Sequence, residues 1–270
     1  ANIGSAATLI GNPQNMLIGS VLQLPFAGYV RLALPPVVLS LLLLWGWLAW
    51  RWRAGSRSPA EAPASTPAQD QREDMVLETA RPPFDAWQTF KGLSVAVAFL
   101  ATFLCTDVPR ELAALVGAGV LLLSRQMHSS RVMGHVDWEL LVMFMGLFVV
   151  NHAFAATGLP AQAVAVLAEQ GVVLADQAAL LVAGVTLSNL VANVPAVMLL
   201  LPHLQGMKSG LTLALVSTYA GNLLLVGSIA NLIVADLAQQ SGVRIDWRAH
   251  ARVGIPVTLL CLAVLWALLY

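Results

Sequence analysis

From Leu34 to Trp50 the chain carries no charged residue, and Trp45, Trp47, Trp50 and Trp52 then interleave with Arg51 and Arg53. A hydrocarbon layer about 30 Å thick is crossed by roughly 20 apolar residues in a helix, and tryptophans beside arginines mark where such a helix meets the headgroups. This segment reads as a span. Trp138 to about Ala156 and Val253 to Tyr270 pass the same test. With 58% apolar residues against 10% charged, the chain has too little polar surface to dress a water-soluble globule. The expectation is an all-α polytopic membrane protein, multi-pass, in the plasma or inner membrane. Fourteen Lys+Arg balance fourteen Asp+Glu, so bulk charge suggests no nucleic-acid partner. Cys105 and Cys261 stand alone in apolar runs and read as packing residues.

Residues 51–91 are rich in Ala, Ser and Pro and carry mixed charges from Asp70 to Glu78. Such a stretch buries too little apolar area to fold alone and reads as a solvated cytosolic linker. Between Gly92 and Ser124 the apolar run is broken by Asp107, Pro109, Arg110 and Glu111. Two short spans joined there place Arg51, Arg53, Arg57, Arg72, Arg81, Lys91, Arg125, Arg131, Arg244, Arg248 and Arg252 on the cytosolic side, leaving only Arg31, Arg110 and Lys208 outside. A single span would divide the basic residues more evenly, so two are adopted. Leu174 to Gln205 is too short for two crossings and too long for one, and its centre, Ser188-Asn189-Leu190-Val191-Ala192-Asn193-Val194-Pro195, is polar and turn-like. A re-entrant hairpin with halves of about 14 residues fits it. Segment 208–240 has Ala220-Gly221-Asn222 and Gly227-Ser228 at its middle, where a continuous helix would prefer neither, and reads as a broken helix.

When the chain is laid on itself so that Gly11 meets Gly227, Leu9, Asn15, Leu17 and Ile18 meet Leu225, Asn231, Ile233 and Val234, and Asn12-Pro13 face Ser228-Ile229. Both copies put a Gly and a small polar residue just before a fresh apolar run, as a helix restarting at mid-membrane would. Asn12 and Ser228 are N-cap types, and Pro13 sits in the first turn, where its missing N–H does no harm. With the span count above, the copies run in opposite directions. Inverted repeats with broken helices are a transporter arrangement, because unpaired backbone is tolerated in hydrocarbon only beside protein or a water-filled cavity. The expected organisation is therefore 1–50 as the end of a first inverted repeat, 51–91 as linker, and 92–270 as a second repeat with hairpin 174–205 and broken helix 208–240. The half-helix starting at Asn193 would offer free N–H groups to an anion, and the half before it free carbonyls to a cation.

No Lys, Arg or carboxylate falls in the expected membrane centre. Asp236, about two turns past the second break, reads as a helix end near the headgroups rather than a coupling group. Asn151 and His152 read as a hydrogen-bonded packing pair, Asp137 as an N-cap, His203 as interfacial, and Met143 and Met145 as core filling rather than a soft-metal site.

The run Ala1-Asn2-Ile3-Gly4-Ser5-Ala6-Ala7-Thr8-Leu9-Ile10-Gly11-Asn12-Pro13-Gln14-Asn15, with Ser188-Asn189, Asn193-Val194-Pro195, Gly221-Asn222 and Gly227-Ser228-Ile229-Ala230-Asn231, resembles the ion transporter superfamily. That grouping holds arsenite permeases, citrate and dicarboxylate transporters and certain sodium/proton antiporters. The likeness covers nearly the whole chain and is specific for the superfamily rather than for a substrate. It implies an elevator-like carrier in which Ser188, Asn189 and Asn193 line a hairpin tip, while Asn12, Asn15, Asn222, Gly227, Ser228 and Asn231 line the breaks, as substrate- and ion-binding residues. Two departures stand out. The first hairpin is absent, as expected of a C-terminal portion cut at its front edge, and Asn12 stands where many arsenite-permease and antiporter relatives have Asp, which weakens the case for proton coupling.

The expected function is secondary active transport of a small anion or oxyanion by alternating access. A sodium/proton antiporter is the alternative and would need a midplane carboxylate upstream. A passive channel would be recognised by flux that ignores ion gradients. An intramembrane enzyme would need a nucleophile–base pair or clustered metal ligands within the spans, and neither is visible. No cofactor or resident metal is expected, the coupling ion is left open between sodium and proton, and the partners are a small inorganic or carboxylate anion and membrane lipid, with a homodimer left open.

Overall fold

The computed structural model caps some helix starts with side chains, Asn12 accepting from the Asn15 N–H and Asp176 from the Ala179 N–H. It describes residues 2–55, 86–106, 108–122, 134, 136, 138–169, 173–174, 176–240 and 242–269. The helices are α1 (Asn2–Ser5), α2 (Pro13–Val21), α3 (Phe26–Gly55), α4 (Ala86–Cys105), α5 (Arg110–Leu122), α6 (Trp138–Ala156), α7 (Leu159–Glu169), α8 (Gln177–Val191), α9 (Asn193–Leu200), α10 (Gly206–Ala220), α11 (Ile229–Gln240) and α12 (Trp247–Leu269). Single 3₁₀ turns occupy Leu201–His203 and Leu225–Gly227. No strand occurs among the described residues, so the fold is all-α.

Two compact units divide the chain. One comprises Ala1–Leu44 and Ser129–Tyr270, the other Trp45–His128. In the second, α4 packs against α5. The interruption expected near Asp107 to Glu111 is present as the gap between these helices, although Asp107 itself lies outside the described residues. Of the linker expected over 51–91, residues 56–85 likewise lie outside them, as does Asp137, while 51–55 belong to α3 and 86–91 to α4. The helix α7 had no counterpart in the sequence reading.

The first unit is organised around α10, in which every residue from Gly210 to Ala220 is buried. Helices α1, α2, α8, α9 and α12 all pack on it. A Cβ added at Gly184 of α8 would meet Val216 Cγ1 at 2.8 Å, which shows how closely α8 approaches. The core is largely apolar, but it also takes in polar side chains, and the surface is not polar. Asn15, Ser188, Thr212, Ser217 and Thr258 are fully buried, whereas Leu42, Trp45, Trp50, Leu115, Val149 and Val182 are among many large apolar side chains left exposed. Water would punish such a surface, and lipid would not. Two helices, Phe26–Arg51 within α3 and Trp247–Leu269, are long and apolar enough to cross a bilayer by length and composition. Met143 and Met145 correct the expectation of core filling. They are 45% and 60% exposed, because α6 is apolar on nearly every face and has no single buried stripe.

Three interruptions lie in this unit. Residues 6–12 separate α1 from α2, Ala192 separates α8 from α9, and residues 221–228 separate α10 from α11. Ala192 has φ 72° and ψ 164°, a region almost reserved for glycine, at a cost of about 1–3 kcal/mol. Its neighbours hold it there. Asn189 Nδ2 of α8 donates to Val185 O at 2.9 Å and to Ala220 O at 3.2 Å, pinning the end of α8 to the end of α10.

Candidate functional site

Each interruption has its own asparagine lock. Asn12, in extended conformation, accepts the Asn15 N–H on its side-chain oxygen at 2.8 Å, and Pro13 follows in the first turn of α2. The Asn12 Nδ2 donates to Ser5 Oγ at 3.1 Å and to Thr218 Oγ1 of α10 at 3.2 Å, and Gln14 Nε2 reaches the same Thr218 oxygen at 3.4 Å. Asn15 Nδ2 donates back to Thr8 O at 3.1 Å and to the Tyr29 hydroxyl at 3.2 Å, which in turn donates to Ala6 O at 2.9 Å. Such bonds are what buried loop carbonyls require. Gly11 lies so close to Ser5 that a Cβ there would run into the Ser5 carbonyl.

The second break closes similarly. Asn231 Nδ2 donates to Gly221 O at 2.7 Å and to Leu224 O at 3.3 Å. With its amide oriented to suit its surroundings, Asn193 donates to Gly227 O at 3.1 Å and Ser217 O at 3.0 Å, tying α9 to this loop. Gly227 packs on Asn189, whose Oδ1 would be 3.1 Å from an added Cβ. The Asn222 carbonyl accepts from His250 Nε2 of α12 at 3.0 Å. Asn2 joins the two breaks. Its Nδ2 donates to Asn222 Oδ1 at 3.0 Å and Asn231 Oδ1 at 3.1 Å, and its Oδ1 accepts from Ser228 Oγ at 3.2 Å.

A cavity of about 620 Å³ opens where these segments meet. The starts of three helices border it: Asn12, Pro13 and Gln14 at α2, Asn193, Val194 and Pro195 at α9, and Ser228 and Ala230 at α11. A helix leaves its first N–H groups without intrahelical partners and carries partial positive charge there, and at α9 the preceding Ala192 supplies no side-chain cap. Met143, Phe144, Leu147 and Val150 of α6 form an apolar wall opposite. No ionisable side chain is among the lining residues.

The sequence-expected site residues thus separate. Asn12, Asn193, Gly227 and Ser228 line the cavity. Asn15, Ser188, Asn189, Asn222 and Asn231 surround it without lining it, and Asn15 and Ser188 are fully buried. Ser188 Oγ, Asn189 Oδ1, Asn222 Nδ2 and Asn15 Oδ1 are buried atoms with no hydrogen-bond partner among the described residues. Asn151 and His152 do not line the cavity, and His152 is exposed. Sequence reasoning passed over Asn2, Thr218, Tyr29 and His250. Asn2 and Asn222 each follow a small residue at the entrance to a break, a parallel that appears only when the two copies are aligned with a gap.

The family model for citrate transporters matches residues 1–220. This chain belongs to that family. It therefore falls within the ion transporter superfamily to which its motifs point. An inner membrane protein of Escherichia coli K12 is 33% identical over 99% of this chain and 62% of its own length. A 46 kDa membrane protein of Mycobacterium leprae is 28% identical over 98% of this chain and 63% of its own. The silicon efflux transporter of Oryza sativa is 28% identical over 98% of this chain and 67% of its own. The chain spans about 63% of the length of the first of these mycobacterial relatives. Family and burial pattern agree on a multi-pass integral membrane protein.

Proposed function

We propose that this chain carries the solute-binding portion of a secondary active transporter that moves a small anion or oxyanion across the membrane by alternating access. The observation that carries the reading is the convergence of three helix starts on one cavity free of ionisable side chains. An oxyanion held there would be met by the free backbone N–H groups at these helix starts, which is how helix N-termini receive anions, while Asn12, Asn193 and Ser228, whose side-chain donors are spent on Ser5, Thr218, Gly227 O, Ser217 O and Asn2, hold those starts in place. Without a lysine or arginine to balance it, a bare anion in so apolar a setting would be costly, so it would enter with a co-bound cation or partly protonated. Oxygens for a cation stand nearby at Ser188 and Asn189.

In this proposal α8 and α9 form a re-entrant hairpin with Ala192 at its tip, and residues 2–21 and 206–240 are the broken helices of two inverted repeats. The bond from Asn15 to Thr8 O and that from Asn231 to Leu224 O both reach back seven residues, which supports the pairing of the two copies. The coupling ion is proposed to be sodium or a proton. The citrate transporter family model and the name of the silicon efflux relative make citrate and a silicon-containing solute the first candidates.

The test is a flux assay on the full-length protein in proteoliposomes with citrate, silicate, arsenite, sulfate and dicarboxylates under imposed sodium or proton gradients. Uphill movement of one of these solutes driven by one gradient supports the reading. Flux that only runs downhill and ignores both gradients would replace it with a channel.

A further inference from the structure

Asn2 is distinctive in that its carboxamide spends both N–H bonds on the far break. One goes to Asn222 Oδ1 and one to Asn231 Oδ1, at 3.0 and 3.1 Å, and its oxygen receives Ser228 Oγ at 3.2 Å. All three partners lie in or directly after residues 221–228, while Asn2 belongs to α1. Its backbone is fixed as well, since Asn2 O accepts from Ser5 Oγ at 2.8 Å, and Ser5 accepts from Asn12. An unbroken chain of hydrogen bonds therefore runs from the start of α2 through Ser5 and Asn2 to the start of α11. Although Asn2 borders the cavity and is 9% exposed, it has no N–H left for a solute.

We infer that Asn2 is a positioning residue, a latch that holds the second break in register with the first so that the helix starts of α2 and α11 face one solute together. This inference rests on the transporter reading for its consequence and on geometry alone for the latch. Asn231 cannot rearrange to replace it. Asn231 Nδ2 is committed to Gly221 O and Leu224 O, so its Oδ1 must keep facing Asn2. Asn222 is freer, because its Nδ2 has no partner among the described residues and could swing toward an acceptor.

That asymmetry supplies a distinctive test. In Asn2→Asp a carboxylate would meet the Asn231 oxygen with no proton to offer, and protonation would restore one O–H donor. The protonated carboxyl supplies an O–H donor that the carboxylate lacks, so the latch should re-form as the pH falls through its titration. Asn2→Leu, of similar size, has no donor at any pH. Two readouts are taken on full-length protein in lipid at about pH 7.5 and at about pH 4, near the ordinary aspartate value, always relative to wild type at the same pH. The first is amide hydrogen exchange across residues 221–231, which needs no transport. The second is uptake, resolved into KM and maximal rate.

Expected are faster exchange in both variants at the higher pH and recovery at the lower pH in Asn2→Asp only. Uptake should follow, with KM raised about 10-fold, the scale of one or two buried hydrogen bonds, and falling again on acidification in Asn2→Asp alone. Unchanged exchange in Asn2→Leu, or equal defects in Asn2→Asp at both pH values, would overturn the latch. Absent coupled uptake in wild type would instead overturn the transporter reading and leave the exchange result to decide the latch by itself.

Discussion

The two breaks use the same asparagine to close on themselves, yet they differ in what they depend on. In residues 6–15 the lock is deeply buried, with Tyr29 of α3 and Thr218 of α10 as its outside partners. Asn15 is fully buried, Tyr29 stands between it and Ala6 O, and both side chains are sealed beneath the loop. In residues 221–231 Asn231 is half-buried and reaches Gly221 O directly, while the oxygen of its amide looks outward to Asn2. Both breaks draw on outside groups, but the first closes beneath the fully buried side chains of Asn15 and Tyr29, whereas the second is completed by part-buried bonds from Asn2 on one side and His250 on the other. A loop that must bind or move is expected to be the less deeply buried one, because low local stability is drawn on where function needs change.

Gly11→Val strikes the first break hardest. Its side chain would run into the Ser5 carbonyl, which is backbone and cannot step aside, so a loss of about 3 kcal/mol or more is expected as poor recovery of folded protein by size-exclusion chromatography in detergent. Gly227→Ala meets the end of the Asn189 side chain at 3.1 Å and the Gly221 carbonyl at 3.3 Å, looser contacts than at Gly11, and should cost less, lowering uptake before stability.

Next come the paired asparagines. Asn15→Ala removes a buried amide and leaves Thr8 O and Tyr29 wanting partners, so it should lower the thermal midpoint by the equivalent of about 2–3 kcal/mol and reduce uptake through lost protein. Asn231→Ala should instead abolish uptake at near-normal insertion, since insertion follows span hydrophobicity. Equal profiles for the two variants would erase the contrast between the breaks. Tyr29→Phe is a milder version of Asn15→Ala, about 1–2 kcal/mol by thermal shift, because the ring still packs and only the hydroxyl is lost. Ser188→Ala should be the quietest for stability, near zero, as its hydroxyl has no partner, and any fall in uptake would then speak for a contact with the transported solute or ion.

Much of the helical layout was legible because span hydrophobicity and Gly, Asn and Pro punctuation are local signals. The gaps between α4 and α5, at Ala192 and at residues 221–228 fall within segments marked by those residues. Asn12 as a cap and Pro13 in the first turn were legible for the same reason. The hydrogen-bond roles were not. Whether Asn15 seals a loop or faces a cavity depends on Tyr29, fourteen residues on, and whether Asn2 is a ligand or a latch depends on partners more than two hundred residues away. Met143 misled because an all-apolar helix has no periodicity to tell lipid, cavity and core apart.

The central claim, that the starts of α2, α9 and α11 share one solute, can be tested most directly by protection. With Cys105 and Cys261 replaced by alanine, single cysteines at Gln14, Val194 and Ala230 are labelled with a small hydrophilic maleimide in membranes, with and without the transported solute. All three should be labelled and all three slowed together by the same solute concentration. Protection confined to one position, or a solute that is transported without slowing any of them, would contradict the claim.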